Sequence, residues 1–295
     1  MRHDDYVTFK VVRTNGHDLG SIEFRSLGVY HCLSRNLHYG LRIVKTKMLR
    51  TRYLDAGQVH DMFDVMREYY EGMRFEVFEK DLSSSDTVIL LLSSNGSIQG
   101  FSIQNKYEMT VNGERRIALF SGDTVLRRKY WGNGALATAF GRFLFKMKLR
   151  YPLTGVYWFL SSSGYRGYLL MANNFPEYYP RFDQPTPADV SAMMERFYGQ
   201  KFGSDYRSDL GLTMAYEADP CRVKETVAPI GQLELTNPKI AFFAAQNPEW
   251  SKGVELACVA RVSLSVPIMY AWKRFKKTTA ALGYQWLIRL RLKAE

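Results

Sequence analysis

The feature that most constrains this chain is a meander of apolar runs that ends in a glycine turn and a helix. Residues 87–92, TVILLL, form a short continuous apolar run of the kind expected for a buried strand. Asn95-Gly96 and Asn112-Gly113 are hairpin signals, so 98–110 and 116–126 follow as the returning strands. After Trp131-Gly132-Asn133-Gly134, apolar side chains recur at Leu136, Phe140, Phe143, Leu144 and Met147. Steps of three and four predict a helix. A central strand (GVYWFL, 155–160), a loop at 161–164 and a short helix to about 172 complete the unit.

The flanks are less regular. Residues 6–13 alternate as a strand and 21–25 read as another, whereas 28–52 have no clear period. Asp55 is placed to cap a helix over 56–72, with Val59, Met62, Phe63, Met66 and Tyr70 at helical spacing. Beyond an irregular Pro- and Tyr-rich stretch at 176–187, the pattern predicts a helix over 188–198. It then gives strands at 210–217 and 254–264, an apolar segment near 240–245 and a basic amphipathic helix over 267–293.

Composition sets outer limits. With 46% hydrophobic residues in 295, the chain can bury a full core without disulfides. Cys32, Cys221 and Cys258 are scattered and form no CxxC pair, which suits buried thiols in a reducing compartment. The five histidines show no ligand spacing, so no metal is expected. The first residues lack the apolar core of a secretory signal. The apolar stretch 254–272 is broken by Arg261 and Pro267, which argues against a spanning helix. A cytoplasmic protein, or one at the membrane periphery, is expected. The formal charge of +11 favours an anionic partner: nucleic acid, anionic lipid, a phosphorylated cofactor or an acidic carrier protein.

Glycine at a strand-to-helix turn accepts positive φ and keeps side chains away from the backbone amides. The following helix adds unpaired N–H donors and the positive end of its dipole, so the bend is a ready pocket for pyrophosphate. Arg127, Arg128 and Lys129 add charge beside Trp131, Gly132, Asn133 and Gly134. The order of elements argues against a dinucleotide-binding unit, and no Walker lysine is present.

The run TVLRRKYWGNGAL, then a helix, then GVYWFLSSSGYRGYLLMANNF, resembles the GCN5-related N-acetyltransferase superfamily over about 55–179. Tyr130, Gly132 and Gly134 fall on the family's turn pattern. Trp131 stands where the family usually has Arg or Gln, and Leu136 where it has Gly or Ala. These departures resemble the branch of N-acyl amino acid synthases, which take long acyl chains from acyl carrier protein.

The resemblance implies a mixed α/β (α+β) fold, with a mostly antiparallel central sheet flanked by helices. An N-terminal extension would cover 1–54, the acyltransferase core 55–185, and a C-terminal extension or small second domain 186–295. It implies transfer of an acyl group from acyl-CoA or acyl-ACP to an amine. Amides near Val125 would hold the thioester carbonyl, Asp123 would deprotonate the amine, and Tyr168, with Tyr165 in reserve, would protonate the departing thiolate. The bland readings are an Asp123–Arg127 ion pair, a glycine turn that only turns, and Tyr168 as a core ring. The competing class is a non-enzymatic basic protein that binds nucleic acid or an anionic membrane surface, the latter through 267–295. No nucleic-acid-binding signature stands out, so a nucleic acid partner is not expected.

Overall fold

The structure, a computed structural model, describes residues 44–214 and 221–265. The strands expected at 6–13 and 21–25, Cys32 and the basic helix at 267–293 lie outside the described residues. The fold is mixed α/β, with a mostly antiparallel sheet between layers of helices.

Among the described residues there are eleven strands and seven α-helices. In order they are β1 (Val44–Arg50), α1 (Ala56–Arg67), β2 (Tyr70–Glu71), α2 (Phe75–Ser83), β3 (Thr87–Ser93), β4 (Ile98–Val111) and β5 (Glu114–Leu126). Next come α3 (Ala135–Arg150), β6 (Gly155–Ser162), α4 (Tyr165–Asn174), β7 (Tyr178–Tyr179) and α5 (Ala188–Phe202). The chain continues with β8 (Tyr206–Arg207), β9 (Leu212–Thr213), β10 (Arg222–Val223), α6 (Gln232–Leu235), α7 (Pro238–Gln246) and β11 (Glu255–Arg261).

The main sheet runs β1-β3-β4-β5-β6-β11-β9-β8, with β7 also on β11; β2 and β10 pair separately. Among the described strands, only β5 and β6 pair in parallel, joined by the α3 crossover. The sheet therefore draws strands from both sides of the 55–185 span: β1 extends one edge, and β11 pairs directly with β6.

The expected meander forms. At Asn112-Gly113 both residues have positive φ, 52° and 78°, the conformation a two-residue hairpin requires. At the other hairpin only Gly96 is left-handed, and Asn95 instead accepts from Ser93 and Ser97 through its side chain.

Alternation along the strands separates two faces. Ile117 and Leu119 of β5 pack under α3, α4 and α7, in a cluster with Leu136, Phe140, Trp158 and Tyr168. Ala118 and Phe120 face the other way, onto α5. Beside α5 on that second face, α1 and α2 cover Val88, Leu90, Phe101 and Val125.

Several expectations change in detail. The Asp55 cap is present, its side chain accepting from the Gln58 amide at 2.8 Å, but the helix ends at Arg67. Tyr70 and Glu71 leave it to pair with β10, a partner about 150 residues away that no local pattern announces. The strand expected at 210–217 is only Leu212–Thr213 among the described residues. Cys258 is buried as expected, whereas Cys221 is exposed.

Candidate active site

The parallel pairing of β5 with β6 runs from Arg116–Gly155 to Ser121–Leu160 and stops. β5 continues to Leu126 against β4 alone, and β6 continues against β11. A wedge opens between them. Its cause is a register shift in the β4–β5 ladder between Ser102 and Gln104, opposite Gly122. A buried chain of hydrogen bonds pins that irregularity on the α3 face. Trp158 donates to Ser121, Ser121 to Gln104 and Gln104 to Ser102, at 2.9, 2.8 and 2.7 Å. Ser102 meets the Thr124 hydroxyl at 2.6 Å.

The Arg127 amide donates to Gln99 across the ladder at 2.9 Å. Ladder alternation then turns the Val125 amide toward β4 as well, and turns Thr124 and Leu126 toward the wedge. Near Val125, the backbone groups facing the wedge are those of its neighbours Thr124 and Leu126. The Leu126 carbonyl agrees, since it accepts the Trp131 indole N–H at 2.6 Å.

At the bend, Gly132 and Gly134 have φ of 79° and 75°, the left-handed region that favours glycine. Gly134 is the N-cap of α3, and the Asn133 side chain just before it accepts from the Ala135 amide at 3.1 Å. Arg127 is not paired with Asp123; its guanidinium meets Glu68 at 2.7 Å. The Arg128 amide donates to the Tyr69 hydroxyl at 2.5 Å, and its guanidinium donates to the Thr226 carbonyl at 3.3 Å. Lys129 is exposed.

Trp131 lies half-buried, with the guanidinium carbons of Arg128 and Arg166 5.2 and 4.6 Å from its ring centroid. Residues 222–228 cross the same end. Lys224 donates to the Arg67 carbonyl, Val227 packs with the α1 cluster and Ala228 with the α4 cluster. Trp131 and this strap therefore roof the wedge at the bend.

Asp123 lies on the wedge stretch of β5. Thr124 faces α3, so its predecessor faces α1 and α5. Burial, with Glu255 and then Asp81 adding negative charge, pushes the Asp123 carboxyl up to about 7. Glu255 is the first residue of β11, and its carboxylate accepts from the Ser163 hydroxyl. Burial raises it too, against the opposing pull of Ser163. Tyr70 completes the group; burial, then the fields of Asp123 and Glu255, hold its phenol strongly protonated.

Sequence reasoning missed Glu255, Ser163 and Tyr70. One signal was present: Glu255 is an acid at the head of an otherwise apolar strand, VELACVA.

Tyr168 is placed away from this group. It is fully buried on the α3–α4–α7 face, among the rings of Tyr178, Phe242 and Phe243. Its hydroxyl donates to the Pro180 carbonyl at 3.0 Å. Tyr165 is buried in the same cluster. Among the described residues, the tyrosine within the field of Asp123 is Tyr70.

No family model matches the chain, and no curated protein does. Among solved structures, it is similar to a ribosomal-protein-alanine N-acetyltransferase of Brucella melitensis, with 15% identity over 50% of this chain and 97% of that one, TM-score 0.36. It is also similar to a conserved Enterococcus faecalis protein, a probable N-acyltransferase, with 18% identity over 46% of this chain, TM-score 0.34. The match spans about a third of that protein's length, 34%. A third is a GNAT family N-acetyltransferase of Escherichia coli in complex with CoA, with 12% identity over 41% and 63% of the two chains, TM-score 0.29.

Proposed function

We propose that this protein is an N-acyltransferase that moves an acyl group from a thioester of CoA, or of acyl carrier protein, to an amine. The observation that carries the reading is the parting of β5 from β6 with Asp123 in the gap, facing Glu255. A strand edge released from its neighbour presents backbone amides and carbonyls to an extended pantetheine arm as a missing strand would. The bend at Gly132–Gly134, with Arg128 and Lys129, takes the phosphates at the α3 N-terminus.

The amine reaches the thioester from the α1–α5 face, where Asp123 takes its proton. Nitrogen attacks the carbonyl carbon, and the oxyanion is held by an amide facing the wedge, from Thr124 or Leu126. Collapse forms the amide bond, breaks the C–S bond and releases a thiolate, which Tyr70 protonates. A carboxyl poised near 7 suits the base role, because it is both ionised and basic at neutral pH. Trp131 has to give up the Leu126 carbonyl for the arm to pair there. A long acyl chain, as in the N-acyl amino acid synthase branch, would lie past the same ring. The catalytic unit proposed is the 55–185 core together with β1 and β11, in a cytoplasmic or membrane-peripheral protein.

The test is thiol release from acyl-CoAs of graded chain length, and from acyl carrier protein, with a panel of amines. Asp123→Asn should lower kcat/KM by roughly 10²–10⁴-fold, the range of a lost general base. Absence of thiol release with every donor, together with no thermal shift by any thioester, would refute the enzyme reading.

A further inference from the structure

The far end of the molecule from the bend carries a surface that the acyl-transfer chemistry does not use. Helix α3 has four basic residues and no acidic one. Arg142, Lys146 and Arg150 recur every four residues, and Phe145 and Leu149 form the ridge beside them. Both apolar side chains point to solvent, 39% and 55% exposed, and Leu153 in the next loop is 100% exposed. That loop is fixed: the Lys148 ammonium donates to the carbonyls of Tyr151, Pro152 and Thr154 at 3.4, 2.9 and 3.0 Å. Among the described residues, neither Arg142 nor Lys146 takes part in an ion pair.

β11 ends beside this patch. Its last residue, Arg261, pairs with Tyr157 near the start of β6 and bears electrostatically on Lys148. Leu264, 47% exposed, follows. The chain then continues into residues 266–295, which hold seven Lys or Arg against one acid, with Trp272, Phe275 and Trp286 among them.

We propose that this end, with Phe145, Leu149 and Leu153 as apolar anchors and Arg142, Lys146 and Arg150 beside them, docks on an anionic lipid surface. Charge decides among the occupants. Residues 266–295 hold the same sign of charge as the α3 cations, so charge complementarity favours an anionic surface over that segment as the occupant. The apolar groups stand out as a ridge and a loop tip, a shape suited to insertion among headgroups. An acidic carrier protein fits less well. The patch is at the C-terminal end of a 16-residue helix, roughly 24 Å from the bend at which a carried thioester would have to arrive. Docked this way, the bend points to the aqueous side.

The test is co-sedimentation of the full chain with phosphatidylcholine vesicles, with and without about a third phosphatidylglycerol, across a salt series. The parent should bind the anionic vesicles, release with salt and ignore the neutral ones. Phe145→Ser/Leu149→Ser/Leu153→Ser should bind at least roughly tenfold more weakly with an unchanged melting temperature, because these side chains support no core. Should the triple variant melt early, Arg142→Glu/Lys146→Glu gives the same reading through charge. Parent-like binding by the folded variants overturns the proposal, placing attachment in 266–295. So does absence of parent binding, equal binding to neutral vesicles, or a dimer that the serine substitutions dissociate.

Discussion

A carboxyl group that keeps its proton to about pH 7 in the fold, against an ordinary value near 4, weakens the native state wherever it is made to ionise. For Asp123 the folded value is the higher one, so its contribution to stability is whole below about pH 4. That contribution is lost as pH rises toward 7. Asp123→Asn should therefore stabilise the protein at pH 8, by on the order of 1–2 kcal/mol after allowance for partial solvent contact, and leave it unchanged at pH 4. The same substitution should remove the rise of kcat/KM with pH that is centred near 7 in the parent. Thermal melts at the two pH values, beside a pH–rate profile, check both; a variant destabilised at pH 8 would mean that Asp123 is a structural carboxylate. Tyr168 gives the opposite signature. Its hydroxyl serves the Pro180 carbonyl, so Tyr168→Phe should cost about 1 kcal/mol of stability and leave kcat within about twofold. Tyr70→Phe should instead lower kcat with little change in stability. The family resemblance points to Tyr168, with Tyr165 in reserve, on the helix after β6, and helical spacing reads Tyr70 only as part of an apolar face. The direction in which Tyr168 points depends on packing against Phe242 and Phe243, some seventy residues downstream, which no local pattern announces.

At the level of elements, the legible parts were those whose pattern is local. The hairpin strands, the bend and α3 could be read because turn residues and hydrophobic period lie in the same few residues. β1 could not: it is an edge strand with Lys45, Thr46, Lys47 and Met48 all exposed, so no apolar alternation marks it. Nor could the opening of the wedge, which arises from a bulge fixed by Gln104, Ser121 and Trp158 on three different strands. The bend itself offers a test separable from folding. Gly134→Asn keeps a residue that tolerates left-handed backbone, so it should cost under about 1 kcal/mol. It also puts a side chain in front of the α3 amides, and should weaken thioester affinity roughly tenfold or more if phosphates sit there. Isothermal titration with CoA, beside a thermal melt, separates the two effects. Equal CoA affinity in both proteins would remove the bend from the donor site.

Across the whole molecule, the candidate site is assembled by sheet order. Asp123 and Glu255 belong to β5 and β11, strands about 130 residues apart in sequence, and they come within each other's field because β6 alone stands between them. The same order brings β2 and the strap at 222–228 over the group, so the C-terminal third builds as much of the site as the glycine turn does. Glu255 stands next to burial among the causes that raise Asp123, and Ser163 favours the ionised form of Glu255. Removing that charge should let Asp123 ionise more readily. Glu255→Gln is therefore expected to move the rising limb of the pH–rate profile to lower pH while the plateau rate stays within about tenfold, since the base itself remains. Glu255→Asp should restore part of the shift only if its shorter carboxylate still meets Ser163. The measurement is kcat/KM between pH 5 and 9 for parent and both variants. A limb that stays near 7 in Glu255→Gln would mean that the two strands do not share one electrostatic site, and that the wedge holds Asp123 without the help of β11.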